Sequence, residues 1–261
     1  MNTEEMASLY GTPIWKRLRM YRNPLRMLFS AGVWSSAWYL LSYMIIGTVL
    51  FSVITTITIT SAALVIIWAG LPLLIGTAYF IRGCAVLERG RTRAVVPEGL
   101  PPIPPVDDAE GFFATLRASW RSRVTQRGLV YFILLFPPLF ILDTAVWAIW
   151  MAFLGGVTVP IWYRYIPSDF DSGKYHGLSY GYFPHGPHGK DAIGFWIGSD
   201  LSATVAAVAS LVLLLTWNYV LVGTARVHAN AVRAVVAGRD PMAAARRVLE
   251  TPGPLNTPAG T

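Results

Sequence analysis

Three of the four histidines, and three aspartates, fall in one 45-residue stretch, GGVTVPIWYRYIPSDFDSGKYHGLSYGYFPHGPHGKDAIGFWIGS, Gly155 to Ser199. Gly186 and Pro187 form a turn signal between His185 and His188, and such a turn could bring two imidazoles together. With His176, Asp169, Asp171 and Asp191 they could make a zinc or copper site, since imidazole nitrogen and carboxylate oxygen suit those ions. The same histidines could titrate near neutrality and report pH, or be ordinary polar residues of a Gly/Pro-rich surface loop. The spacing is not that of a helical His pair. The stretch is also aromatic. Trp162, Tyr163, Tyr175, Tyr180 and Tyr182 could bind a ligand by stacking or cation–π contact. The aromatics nearest the apolar runs, together with Trp147 and Trp150, read equally as a belt at a membrane interface.

Asp143 is a third chemical signal, an acid well inside an apolar run, about 21 Å past Leu129 at the rise of a helix. Counting back from Arg226 puts Ser210 at a similar depth. Acids in such places face partners inside the bundle, so Asp143 reads as neutral and hydrogen-bonded, or as proton-linked. No nucleophile motif or dinucleotide fingerprint appears, and SGKYHG at 172–177 lacks the glycine spacing of a phosphate loop. The expectation is a protein that is not an enzyme and carries no cofactor.

The elements that position these residues are apolar. The 261 residues are 54% hydrophobic and 13% charged, about half the charge of a soluble domain. Ala37 to Ile81 holds no charged side chain, enough for two crossings of about 20 residues each. The expected fold class is an all-α membrane protein with four transmembrane helices at about 37–57, 61–82, 129–154 and 201–224. The first turn is expected in TTITITS, Thr55 to Ser61, with a kink at Gly70 and Pro72. Residues 1–33 read as a cytoplasmic segment, 34–238 as the membrane domain and 239–261 as a mostly disordered tail. PEGLPPIPP, Pro97 to Pro105, reads as a stiff linker. FFATLRASWRSRVTQR, Phe112 to Arg127, reads as a basic amphipathic helix at the interface. Ser199 or Asp200 is the expected N-cap of the fourth span. Cys84, the single cysteine, excludes an internal disulfide.

Eighteen of the 21 Lys and Arg residues lie in the N-terminal segment, the 82–128 connection and the C-terminal segment. The positive-inside rule then puts both termini in the cytoplasm and 155–199 outside. It also explains the net charge of +7 by anionic lipid headgroups, without nucleic acid. The two halves resemble each other. Tyr39 aligns with Tyr131, and RGCAVLERGRTRAVV at 82–96 aligns with VGTARVHANAVRAVVAG at 222–238, placing Glu88 opposite His228. The offset grows from 92 to 140 residues, and the difference is almost wholly the 155–199 stretch. This reads as a duplicated hairpin in parallel orientation.

Trp34 and Tyr39 at the first span, RGCAVLE at 82–88, PIWY at 160–163 and TARVHANAVRAVVAG at 224–238 together resemble the sensor domain family of actinobacterial membrane histidine kinases, which also occurs as standalone proteins. The resemblance covers about residues 25–238. It implies a membrane input module of a two-component system. The 22 residues after Arg239 hold no room for a kinase domain, so the expectation is a sensor or accessory acting on a separate kinase or other signalling partner, and possible as a homo-oligomer. His228, aligned with Glu88, is expected to be a polar interfacial residue. A transporter subunit or small oligomeric transporter, and a membrane enzyme of envelope or lipid metabolism, are the alternatives.

Overall fold

The structure is a computed structural model and describes residues 18, 20–96, 110–170 and 173–237. Helices dominate. After α1 (Pro24–Leu28), capped by the Asn23 side chain, come α2 (Ala31–Leu64), α3 (Gly70–Thr92), α4 (Phe112–Arg121) and α5 (Arg123–Leu129). A π-helical segment (Val130–Leu135) leads into α6 (Phe136–Val157). The short α7 (Val159–Trp162) and a 3-10 turn precede strands β1 (Pro167–Phe170), β2 (Gly173–His176), β3 (Leu178–Tyr182) and β4 (Ile193–Ile197). The last long helix is α8 (Asp200–Val232). Among the described residues, four helices are long and apolar enough to cross a membrane: Ala31–Ile67, Gly70–Thr92, Arg123–Val157 and Asp200–Val235. The fold is therefore not all-α, because two antiparallel two-stranded sheets, β1–β2 and β3–β4, lie between the third and fourth of these helices.

The chain divides into two compact units. Among the described residues, one holds 46–96, 110–137 and 228–237; the other holds 18, 20–45, 138–170 and 173–227. In the first, the turn between α2 and α3 is not at TTITITS. Helix continues through those threonines, and the chain reverses at Val65–Ala69, with Trp68 in the left-handed region. A hydrocarbon environment offers no water to a broken helix, so propensity alone does not end one there. The reversal falls where Gly70 permits it: a Cβ at Gly70 would lie 2.3 Å from the Ser61 carbonyl oxygen and the Val65 nitrogen. Gly70 and Pro72 thus open α3 rather than kink it, and proline costs little in a first turn, whose N–H groups have no helical acceptor.

A buried hydroxyl pair, Ser61 Oγ and Thr77 Oγ1 at 3.0 Å, ties α2 to α3. Hydrogen bonds between membrane helices average about 0.6 kcal/mol in coupling. A double-mutant cycle with Ser61→Ala and Thr77→Val is expected to return a coupling of that size in thermal unfolding, with little loss from either single change beyond about 1 kcal/mol.

The Phe112–Arg127 stretch is two helices broken at Ser122, and its first part runs back along α3. The Trp120 indole donates to the Leu74 carbonyl at 3.1 Å, and Arg82 donates to Ser122 Oγ at 2.9 Å. Gly128 lets α5 close on α3, since a Cβ there would meet Ile81 at 2.5 Å. The π segment has a local cause: Pro137 and Pro138 have no N–H for the carbonyls a turn earlier, and their rings press on that turn, so the helix widens before them. The Pro97–Pro105 linker and the 239–261 tail lie outside the described residues.

In the second unit, α6 and α8 pack through tryptophans. The Trp150 indole donates to Asn218 Oδ1 at 2.9 Å, and the Trp217 indole donates to the Val146 carbonyl at 3.0 Å. Trp150 also meets Trp34 edge to face at 5.5 Å. Trp150 is buried, so it is a core residue and not part of an aromatic belt. Leu18 and Tyr21 are held on α8, where the Tyr219 hydroxyl donates to the Tyr21 carbonyl at 2.7 Å and Arg226 donates to the Leu18 carbonyl.

Candidate functional site

The β segment is built on a small apolar base. Val159, Tyr163, Ile197 and Ala203 are buried together, with Trp162 and Leu178 packed on them. This base is fastened to the start of α8. Ser199 caps that helix, its Oγ accepting from the Ser202 N–H at 3.3 Å. Tyr163 and Arg164 both donate to Asp200 Oδ1. Bonding to Asp200 and to the Tyr163 hydroxyl pushes the Arg164 guanidinium further above its already high range, so it stays charged at any working pH. Both members are mostly exposed, so the ion pair orients the segment more than it stabilises it.

Above the base, three rings pack edge to face around Phe170. Tyr175 is 5.9 Å away, Trp196 5.8 Å and Phe183 6.5 Å. Two glycines cradle the Trp196 indole. A Cβ at Gly177 would lie 2.9 Å from its ring, and one at Gly198 would lie 2.2 Å from its nitrogen. Gly181 faces Gly194 across the second hairpin, both with positive φ, and a Cβ on either would sit 2.1 Å from a carbonyl oxygen of the opposite strand. Only glycine allows strands to approach this closely.

Cross-strand partners share a face. In β3–β4, Ser179 pairs with Trp196 on the packed face, while Leu178–Ile197, Tyr180–Phe195 and Tyr182–Ile193 form a ladder on the other. The inner rung belongs to the base. The outer rungs are open: Tyr180 is 57% exposed, Tyr182 66%, Phe195 79% and Ile193 74%. This is a two-rung apolar and aromatic face held on a packed scaffold, suited to stacking or to apolar contact with a ligand or membrane surface.

The expected site residues divide accordingly. Tyr180 and Tyr182 come together on the open face, with Phe195 and Ile193, which sequence reading did not join to them. Trp162, Tyr163 and Tyr175 are structural, in the base and the ring cluster, and Trp162 donates to Thr158 Oγ1 at 3.0 Å. His176, His185 and His188 are exposed and do not converge, and among the described residues no group of three or more His, Cys, Asp or Glu could hold a metal ion. Asp171 lies outside the described residues. Asp143 is fully buried, but Ser210 is not at its depth. Ser210 Oγ fills the space beside Gly156, 2.3 Å from where a Cβ would be, thirteen residues or about 20 Å along α6 from Asp143. Counting from Arg226 treated that arginine as the membrane edge, whereas it is used against the N-terminal segment.

In the first unit the structure shows a polar constellation that sequence reading did not assemble. Glu88, Arg91, Tyr131 and His228 meet between α3, the π segment and the end of α8. Arg91 donates to both Glu88 oxygens, with Nε to Oε2 at 3.0 Å. The Tyr131 hydroxyl donates to Glu88 Oε1 at 2.8 Å. His228 Nε2 is 3.1 Å from that hydroxyl and 3.4 Å from Arg91 Nη2. Glu88 is 1% exposed, and Tyr131 and His228 are fully buried. His228 is thus an interior member of a network between helices. Buried charges are tolerated only with such complete pairing, and the network clamps three helices at one point.

Four apolar helices of spanning length mark the chain as a helical membrane protein. The family described as "Putative sensor" matches residues 39–235, and the chain belongs to that family. No curated protein matches the chain, and no solved structure does.

Proposed function

We propose that the chain is the input module of a membrane signalling system, meeting an extracytoplasmic or membrane stimulus and acting on a separate partner, with no catalysis of its own. Family membership supports the sensor role. The observation that carries the reading is the open Tyr180–Phe195 and Tyr182–Ile193 face, fastened through Arg164 and Tyr163 to the first residue of α8. That same helix ends beyond His228, within the buried network. A contact on the open face therefore bears on a helix whose other end is clamped by hydrogen bonds, and coupling through that helix requires a second arrangement of the clamp. Glu88 and His228 are the positions that the duplicated halves superpose, and both bond the same tyrosine, which supports a parallel repeat.

The proposed partner is a membrane histidine kinase of actinobacterial type or another signalling protein, with membrane lipids and a further copy of the chain as other partners and nucleic acid as none. Both termini are proposed to be cytoplasmic and the β segment outside. Arg117 and Arg121 run back along α3, so this orientation rests on the basic clusters at 16–26, 82–93 and 226–247.

The test is deletion of the gene, with complementation by wild type or by Tyr180→Ser plus Phe195→Ser, followed by transcript profiling under envelope stress. A response lost on deletion, restored by wild type and not restored by the double variant at equal membrane abundance supports the reading. An unchanged profile on deletion overturns it, as does solute flux or turnover of envelope material by purified protein in liposomes. For orientation, Lys190→Cys is expected to react with an impermeant thiol reagent on intact cells, against a background in which native Cys84 is buried. Labelling only after lysis reverses the topology.

A further inference from the structure

We propose that a groove beside the first helical hairpin binds one anionic phospholipid, an acyl chain lying in the groove and the phosphate on Arg117. The inference does not depend on the sensor reading. The groove is a cavity of about 460 Å³ between Thr58 and Ala62 of α2, Leu74 of α3, and Leu116 and Trp120 of α4, with Arg117 at its edge. That volume is in the range of small-molecule sites. Its walls are apolar apart from Arg117 and Thr58.

Neither of those polar groups has a partner among the described residues. Arg117 is exposed and makes no hydrogen bond or ion pair among the described residues. Thr58 Oγ1 is shielded from solvent and has no hydrogen-bond partner among them. The helix that carries Arg117, FFATLRASWR, contains two arginines and no acid, and it shows Phe112 and Phe113 to the surroundings. A basic, aromatic amphipathic helix of this kind favours an anionic lipid surface.

The neighbourhood supplies such a ligand. The groove lies beside the α2–α3 turn, whose Ile66, Ile67 and Trp68 are exposed on two helices of membrane-spanning character. Exposed tryptophan sits at headgroup level in membranes, where a phosphate comes within reach of a guanidinium. A soluble anion would leave the apolar walls unfilled, and a zwitterionic lipid would leave Arg117 without its net negative partner.

The test uses the full chain in nanodiscs of mixed phosphatidylglycerol and phosphatidylcholine, released into mild detergent for native mass spectrometry. Wild type is expected to retain one phosphatidylglycerol per chain, enriched roughly fivefold over phosphatidylcholine, as one charge contact near a membrane surface supplies. Arg117→Gln removes the preference. Ala62→Trp fills the groove and removes the bound lipid; if that variant does not accumulate, Leu116→Phe replaces it. Arg121→Gln, on the same helix but not lining the groove, leaves retention unchanged. Equal retention of the two lipids, undiminished binding in the filled variant, or equal loss with Arg121→Gln overturns the proposal. Displacement by sn-glycerol 3-phosphate also overturns it, as a chainless phosphate ester would then suffice. A dimer mass in place of a lipid adduct assigns the groove to a second copy of the chain.

Discussion

Glu88→Leu is expected to destabilise the protein by roughly 3–5 kcal/mol, the cost of taking one partner from a buried ion pair. Arg91 would lose both carboxylate contacts while only 5% exposed, and the Tyr131 hydroxyl would lose its acceptor. Tyr131→Phe removes one neutral-to-charged hydrogen bond and should cost less, about 1.5–3 kcal/mol. The double variant Glu88→Leu with Arg91→Leu is expected to recover most of the loss, because replacing both members of a buried pair with apolar residues is often close to neutral. The measurement is thermal or denaturant unfolding of the protein in nanodiscs, with the coupling taken from the full cycle. A Glu88→Leu effect under about 1 kcal/mol would put these side chains in contact with water and remove the clamp. If the network also transmits signal, the double variant would be folded but unresponsive in the transcript assay, which separates its two roles.

Trp196→Ala is the second large effect. Its indole contacts Phe170 and Tyr175 and fills the space that Gly177 and Gly198 leave. A fully buried Trp→Ala change costs about 3–5 kcal/mol; Trp196 is partly exposed, so about 2–3 kcal/mol is expected, confined to the β segment. Hydrogen exchange should accelerate in 167–197 while the long helices keep their protection. Trp196→Phe should retain most of the stability, as an edge-to-face ring survives. Acceleration throughout α6 and α8 would show that the segment and the helices unfold as one.

The charge-free run from Ala37 to Ile81 made two spans legible, because hydrocarbon thickness sets a length that composition alone reveals. The aromatic density of 155–199 was legible too, and its content of scaffold against open face was not. Tyr163, Tyr175 and Tyr180 are the same residue type within eighteen positions, yet one lies in the base, one in the ring cluster and one on the open rung. Strand register decides which, and register depends on Gly181 facing Gly194, a pairing between residues that sequence leaves unpaired. The histidines misled for the same reason. Spacing shows that two imidazoles can meet across a Gly-Pro turn, and only the backbone path shows that they point into solvent instead.

By itself the sequence determined the membrane class, the number of long helices and the presence of one polar, aromatic interruption, since each follows from local hydropathy and the cost of unpaired backbone in lipid. The alignment of Glu88 with His228 was visible as well, but alignment carries no distance. Tertiary structure alone decided that both reach Tyr131, that Ser210 lies thirteen residues from the depth of Asp143, and that no metal-holding group assembles among the described residues. The physical reason is common to all three: hydrogen bonds and coordination act within about 3 Å, and contacts at that range between residues up to 97 positions apart are made by helix packing and strand register, not by the order of residues along the chain.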